Sequence, residues 1–353
     1  MELNKLNINH PFKLEKGFEL PELQIGYHTF GKLNAEKSNV IWVCHALTAN
    51  SNPVEWWPEL IGSGFYFNPD DHFIICANVL GSCYGTTGPL SLNPITQKPY
   101  FNDFGEVTIR DMVALHIVLA KHLGIEQIHT LIGGSLGGQQ ALEWAIIEPD
   151  RIKNLVLLAT NAVHSPWGIA FNEAQRLALR GDKTFYNREP AGGQDGLKAA
   201  RAIALLSYRT YSAYCKTQEE TDTNKTDDFK ASSYQRYQGE KLINRFNAHS
   251  YYCLSKTMDS HNVGRNRKSI VDALKSIKAN TLVIAIESDI LFPKGEQEFL
   301  AKHINRAQFA CIDSFYGHDG FLIETKAITK ELKLFYKAGF RNKIKALIDS
   351  SKY

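Results

Sequence analysis

The sequence predicts an α/β fold: a mostly parallel sheet flanked by helices, with a helical insertion. Three observations lead to it. Short apolar runs rich in β-branched residues each end in a loop signal, as buried parallel strands do. Helical periodicity fills the intervals between them, the alternation a parallel sheet requires. Between residues 166 and 277 the alternation stops, and the chain reads helical and polar, rich in Tyr, Arg and Gln. The expected organisation is a sheet domain begun by residues 1–165, a helical lid over residues 166–277, and the rest of the sheet with a C-terminal helix over residues 278–353.

The elements follow in order. Residues 40–44 (VIWVC) form one apolar run, ending in His45-Ala46-Leu47-Thr48, and residues 73–77 (FIICA) a second, ending in Asn78-Val79-Leu80-Gly81. Thr108-Ile109-Arg110-Asp111 opens a helix as a capping box with Asp in place of Glu. Its apolar positions recur at Ile109, Met112, Val113, Ile117, Leu119 and Ala120, and Gly124 ends it. Residues 129–132 make the next strand, 138–148 a helix stopped by Pro149, and 155–159 another strand. In the insertion, residues 172–176 and 199–214 read as helix. Residues 216–233, almost without aliphatic side chains, read as an exposed loop. Strands resume at 281–286 and 308–312, and the Lys-rich tail from Ala327 reads as a docked amphipathic helix with a solvated basic face.

Gly133-Gly134-Ser135-Leu136-Gly137 falls between a strand and a helix. This G-x-S-x-G word reads there as a nucleophile elbow, a turn too tight for side chains at its flanks. It sets Ser135 at a helix N-terminus, where unpaired N–H groups favour developing negative charge. A serine hydroxyl needs a base, and the base an orienting carboxylate. The α/β-hydrolase order is Ser, then acid, then His, each on a loop after a strand. Asp289 follows the strand ending at Ile286, and His318 follows the strand ending at Ile312. Asp313 comes too late in that order, and Glu287 is the weaker alternative acid. Most other histidines read as packing or surface residues, with His249 and His261 able to line a site. The oxyanion hole needs two N–H donors; Leu136, just after the nucleophile, and Leu47, in the loop after the early strand, are the expected pair.

Composition narrows the function classes. With 353 residues, 44% hydrophobic and 22% charged, the chain can bury a core without disulfide or metal staples. A net charge of +3, with dispersed basic residues, gives no reason to expect nucleic acid or a membrane as partner. The six scattered cysteines form no C-x-x-C pair, and residues 1–20 lack a signal-peptide apolar core. The expected location is cytoplasmic. No metal-ligand spacing, dinucleotide turn or P-loop is present, so neither a metal nor a permanently bound cofactor is expected. The glycine-rich residues 81–85 lack these patterns and are expected to shape a pocket wall.

Longer words accompany the triad. They include Cys44-His45-Ala46-Leu47-Thr48, the glycine-rich residues 78–89 (NVLGSCYGTTGP), Thr108-Ile109-Arg110-Asp111 and residues 132–144 (IGGSLGGQQALEW). The insertion adds Asn172-Glu173-Ala174-Gln175-Arg176, Ser207-Tyr208-Arg209-Thr210, Tyr237-Gln238-Gly239 and residues 259–265 (DSHNVGR), and Gly317-His318-Asp319-Gly320-Phe321-Leu322 closes the set. On these words the chain resembles the homoserine O-acetyltransferase family of the α/β-hydrolase superfamily, over roughly residues 20–330. It departs at Leu136, where the family usually has Met, at Ala49-Asn50-Ser51-Asn52-Pro53, where many members have Gly-Asp-Ser-His, and at Asn262, where Asp is usual.

The resemblance implies a chemistry. Ser135 takes the acetyl group of acetyl-CoA, a co-substrate, with His318 as base and Asp289 orienting it. L-homoserine then accepts the acetyl group, giving O-acetyl-L-homoserine for methionine biosynthesis by a ping-pong route. Arg209 and Asp319 match the positions that hold the carboxylate and ammonium of homoserine. Members are usually cytosolic homodimers joined through the lid. A succinyl donor, a serine acceptor, or water as acceptor in a plain esterase are alternatives on the same scaffold.

Overall fold

The computed structural model describes residues 2–350, with side chains through residue 338. Its main sheet has eight strands: Asn4–Ile8 (β1), Leu23–Phe30 (β2), Val40–Cys44 (β3), Phe73–Ala77 (β4), Ile128–Gly134 (β5), Ile152–Leu158 (β6), Asn280–Ile286 (β7) and Ala307–Ile312 (β8). They lie in the order β1-β2-β4-β3-β5-β6-β7-β8. β2 pairs antiparallel with β1 and with β4; every other pair is parallel. The two N-terminal strands carry no apolar-run signal. β1 (NKLNI) is a largely exposed edge, and β2 (LQIGYHTF) interleaves polar and aromatic residues.

Before the insertion the two long helices of the described residues are Ile109–His122 (α1) and Leu136–Ile147 (α2). The insertion supplies Pro166–Gly181 (α3), Gln194–Tyr208 (α4), Tyr211–Thr217 (α5), Lys230–Ile243 (α6), Ala248–Asp259 (α7) and Ile270–Lys275 (α8). Lys294–His303 (α9) and Thr325–Ser350 (α10) complete the chain.

Alternate residues of each central strand enter two cores. Val40, Trp42 and Cys44 pack with Met112, Leu115 and Leu119 of α1 and with Leu142 and Trp144 of α2. Ile41 and Val43 face the other side, against Trp57, Phe67 and the α10 residues Ile328, Leu332 and Phe335. Burial on both faces explains why these strands read as unbroken apolar runs, each large side chain contributing roughly 1.5–3 kcal/mol. Among the described residues, no helix is long and apolar enough to cross a membrane.

Several elements differ from the sequence reading. α2 starts at Leu136, two residues early, because the elbow itself is the helix N-terminus. The stretch 199–214 is not one helix. It breaks at Arg209, where the backbone is extended, and Thr210 caps the next helix by accepting from the Ala213 N–H at 2.9 Å. The loop read over 216–233 is shorter, since α6 begins at Lys230 with no side-chain cap to announce it. The glycine-rich residues 81–85 do not line the catalytic cavity. They pack on β2, where a Cβ on Gly26 would lie 2.9 Å from the Gly85 carbonyl carbon, and Thr86 and Thr87 accept from β2 N–H groups at 3.0 and 2.8 Å.

Candidate active site

The elbow is built by close backbone approach. A Cβ on Gly133 would lie 2.2 Å from the Gly137 carbonyl oxygen, and one on Gly137 would lie 2.1 Å from that of Cys44. Neither space admits a side chain. Ser135 itself takes φ 56° and ψ −126°, a region that non-glycine residues avoid. Its N–H donates to the Leu158 carbonyl at 3.0 Å, and its carbonyl accepts from the Gln139 N–H at 3.1 Å and the Thr160 hydroxyl at 3.0 Å.

Three loops bring the triad residues together. Ser135 Oγ lies 3.0 Å from His318 Nε2, and His318 Nδ1 lies 2.6 Å from Asp289 Oδ2. The Asp289 carboxylate is satisfied by accepting from His318 and, through Oδ1, from the Leu291 and Phe292 N–H groups at 2.8 and 2.9 Å. A carboxylate only accepts, so the imidazole proton sits on Nδ1 and Nε2 is free to take the serine proton. All three residues are buried. His318 occupies a one-turn helix, Gly317–Asp319, and its ring is clamped by Phe292 (stacked, centroids 5.1 Å), Phe321 (5.2 Å) and Tyr208 (5.7 Å). The alternative acid, Glu287, is exposed and turned to Lys294 Nζ at 2.9 Å, while Asp313 lines a separate outer cavity.

The two expected oxyanion donors border the serine. Leu136 is the first residue of α2, so its N–H has no carbonyl one turn back to bond. Leu47 lines the same cavity as Ser135. Its loop is braced by His45, which is fully buried. His45 Nε2 accepts from the Val79 N–H at 3.1 Å and Nδ1 donates to the Ala46 carbonyl at 2.8 Å. Burial holds that imidazole neutral, with its pKa pushed down to about 4.

Ser135 and His318 open into a cavity of about 610 Å³ between the sheet edge and the lid. Arg209 and Asp319 line it and bond to each other, Arg209 Nε to Asp319 Oδ2 at 2.6 Å. Burial disfavours the Arg209 cation, but the adjacent Asp319 carboxylate outweighs it and holds the guanidinium more firmly charged. His249 and His261 line no part of this cavity. His249 meets Asn102 at 3.1 Å, and His261 is locked on the Asn161 carbonyl at 2.9 Å. Sequence reasoning missed the aromatic clamp on His318, the brace at His45, and three lid cations on the cavity wall, Arg201, Lys241 and Arg245. Phe321 and Tyr208 stand in recognised words, but only the folded chain shows that they meet one imidazole.

An isolated nucleophile–base–acid chain beside an ion-paired cavity suits acyl transfer. Comparison with known proteins agrees. A family model described as alpha/beta hydrolase fold matches residues 39–325. The homoserine O-acetyltransferase of Cyclobacterium marinum is 51% identical over 323 residues, 92% of each chain, and that of Chlorobaculum parvum is 46% identical over 91% of this chain and 90% of its own. The crystal structure of homoserine O-acetyltransferase from Bacillus anthracis superposes with a TM-score of 0.88 at 25% identity, covering 95% of this chain and 97% of that one. The chain belongs to the homoserine O-acetyltransferases, acyltransferases built on the α/β-hydrolase fold.

Proposed function

We propose that the protein moves an acetyl group from acetyl-CoA to the hydroxyl of L-homoserine through a Ser135 acyl-enzyme, supplying O-acetyl-L-homoserine for methionine biosynthesis. Ser135 Oγ gives its proton to His318 Nε2 and bonds to the thioester carbon. The oxyanion forms against the Leu47 and Leu136 N–H groups. The C–S bond breaks, His318 returns the proton to sulfur, and CoA leaves as the thiol. The homoserine hydroxyl then gives its proton to His318 and attacks the acetyl carbon. The bond to Ser135 Oγ breaks and the serine regains its proton.

The observation that carries the acceptor assignment is the Arg209–Asp319 pair at the catalytic cavity. A zwitterionic amino acid can insert between them, its carboxylate on the Arg209 fork and its ammonium on Asp319, so that each half-buried charge exchanges one partner for another. A lipid ester would leave that pair unused. The test is thiol release by purified protein from acetyl-CoA or succinyl-CoA, with L-homoserine, L-serine or no acceptor. The expected result is fastest release with acetyl-CoA and homoserine, with parallel double-reciprocal lines. Preference for succinyl-CoA or serine would reassign donor or acceptor, and release indifferent to any amino acid would make the protein a hydrolase.

A further inference from the structure

The catalytic cavity holds more positive charge than a zwitterion and one transient oxyanion require. Arg201 on α4, Lys241 in the last turn of α6 and Arg245 just beyond it all line the wall that contains Ser135. Neither Arg201 nor Lys241 has a carboxylate partner among the described residues, and Arg201 instead rests over the Tyr208 ring, 5.6 Å from its centroid. Among the described residues, Arg245 donates only to uncharged acceptors: the Thr48 carbonyl, the Thr48 hydroxyl at 3.3 Å and the Tyr84 phenol at 2.8 Å. Two carboxylates share the wall. Asp319 is held by Arg209, which leaves Glu55 alone against three cations. A cleft lined by one sign of charge concentrates ligands of the opposite sign. Homoserine carries no net charge, so it does not account for these residues.

We propose that Arg201, Lys241 and Arg245 form a phosphate-binding subsite in the lid that holds the nucleotide end of the acyl donor. This rests on the acyl-CoA reading above. CoA carries a phosphoanhydride and a phosphomonoester on the far side of its thioester arm. Two planar guanidinium forks and a mobile ammonium suit those oxygens, the arginines by paired N–H donors and the lysine as a point charge.

The test compares acetyl-CoA with S-acetyl-N-acetylcysteamine, which presents the same thioester without phosphates. Specificity constants for both donors are measured at saturating homoserine in the wild type and in an Arg201→Gln/Lys241→Gln double variant. Arg245 is left intact because it also braces the Thr48 carbonyl. The wild type should prefer acetyl-CoA, less so as salt is added. In the double variant that preference should shrink about tenfold or more, through a raised KM for acetyl-CoA, since hydrogen bonds to charged groups commonly carry an effect of that size. An equal loss for both donors would overturn the proposal by making the cations structural. An unchanged preference would overturn it by placing the phosphates elsewhere. Failure of the wild type to transfer from either thioester would instead refute the acyl-CoA reading.

Discussion

Ser135 holds a backbone conformation that costs on the order of 1–3 kcal/mol for a residue with a side chain, and hydrogen bonds to Leu158, Gln139 and Thr160 keep it there. The strain aims Oγ at His318 rather than into the sheet. Arg209 poses a different problem, because it can serve as a substrate ligand or as half of a structural ion pair with Asp319. Arg209→Ala separates the two. We expect the homoserine half-reaction to fall by about two to three powers of ten, the scale of losing a charged hydrogen-bonding group that holds the substrate, while the thiol burst from acetyl-CoA stays near normal. Equal loss in both half-reactions, measured by rapid mixing, would make the pair structural. Ser135, Asp289 and His318 were legible in the sequence because each closes a strand in a fixed serial order. Arg201 and Lys241 were not, because their meeting depends on how α4 packs against α6, which no local pattern records.

The capping box that opens α1 shows how an element is fixed by few atoms. The Thr108 hydroxyl accepts from the Asp111 N–H at 3.3 Å, and Asp111 accepts from the Thr108 N–H at 2.8 Å. Asp111 also takes the Glu15 N–H at 2.7 Å, tying the N-terminal segment to the helix start. Asp111→Ala strands two backbone donors at once and removes a cap. It should cost about 2–4 kcal/mol in urea unfolding, from about 1–3 kcal/mol per unsatisfied buried group. A loss below about 0.5 kcal/mol, the level of an ordinary surface substitution, would mean water replaces both bonds. This cap was legible because its partners lie three residues apart. The break after α4 was also written locally, in the capping Thr210, but lay hidden inside a continuous helical pattern. The words of the insertion have a scaffold role too. Asn172 and Arg176 on α3 converge on Asp259 at the end of α7, at 2.8 and 2.5 Å, so part of what identifies the family is what holds its lid.

Across the molecule, burial leaves several histidines neutral. His45, His116 and His164 are pushed down to about 4 and His261 to about 3, each chiefly by loss of solvent. His116 stacks on Trp144 with ring centroids 5.5 Å apart. Their ordinary value is 6.5, so the unfolded chain binds protons that the folded one refuses. The stability they contribute is complete above pH about 6.5 and is lost as pH falls toward their folded values. Unfolding free energy measured by urea titration should therefore drop steeply between pH about 6.5 and about 4. His116→Gln should reduce that slope by about one proton, whereas a flat profile would mean these rings already titrate in the folded state. The central parallel strands were legible as apolar runs buried on both faces; β1 was not, being a largely exposed edge, and neither was β2, whose buried residues include Gly, Tyr and His rather than an apolar run. The proposed chemistry turns on one covalent bond. Intact-mass and peptide mass spectrometry of protein mixed with acetyl-CoA, without homoserine, tests it most directly. One acetyl group per chain is expected, on the peptide bearing Ser135, absent from Ser135→Ala and discharged as O-acetyl-L-homoserine when homoserine is added. Product formation with no adduct at Ser135, or undiminished transfer by Ser135→Ala, would contradict it.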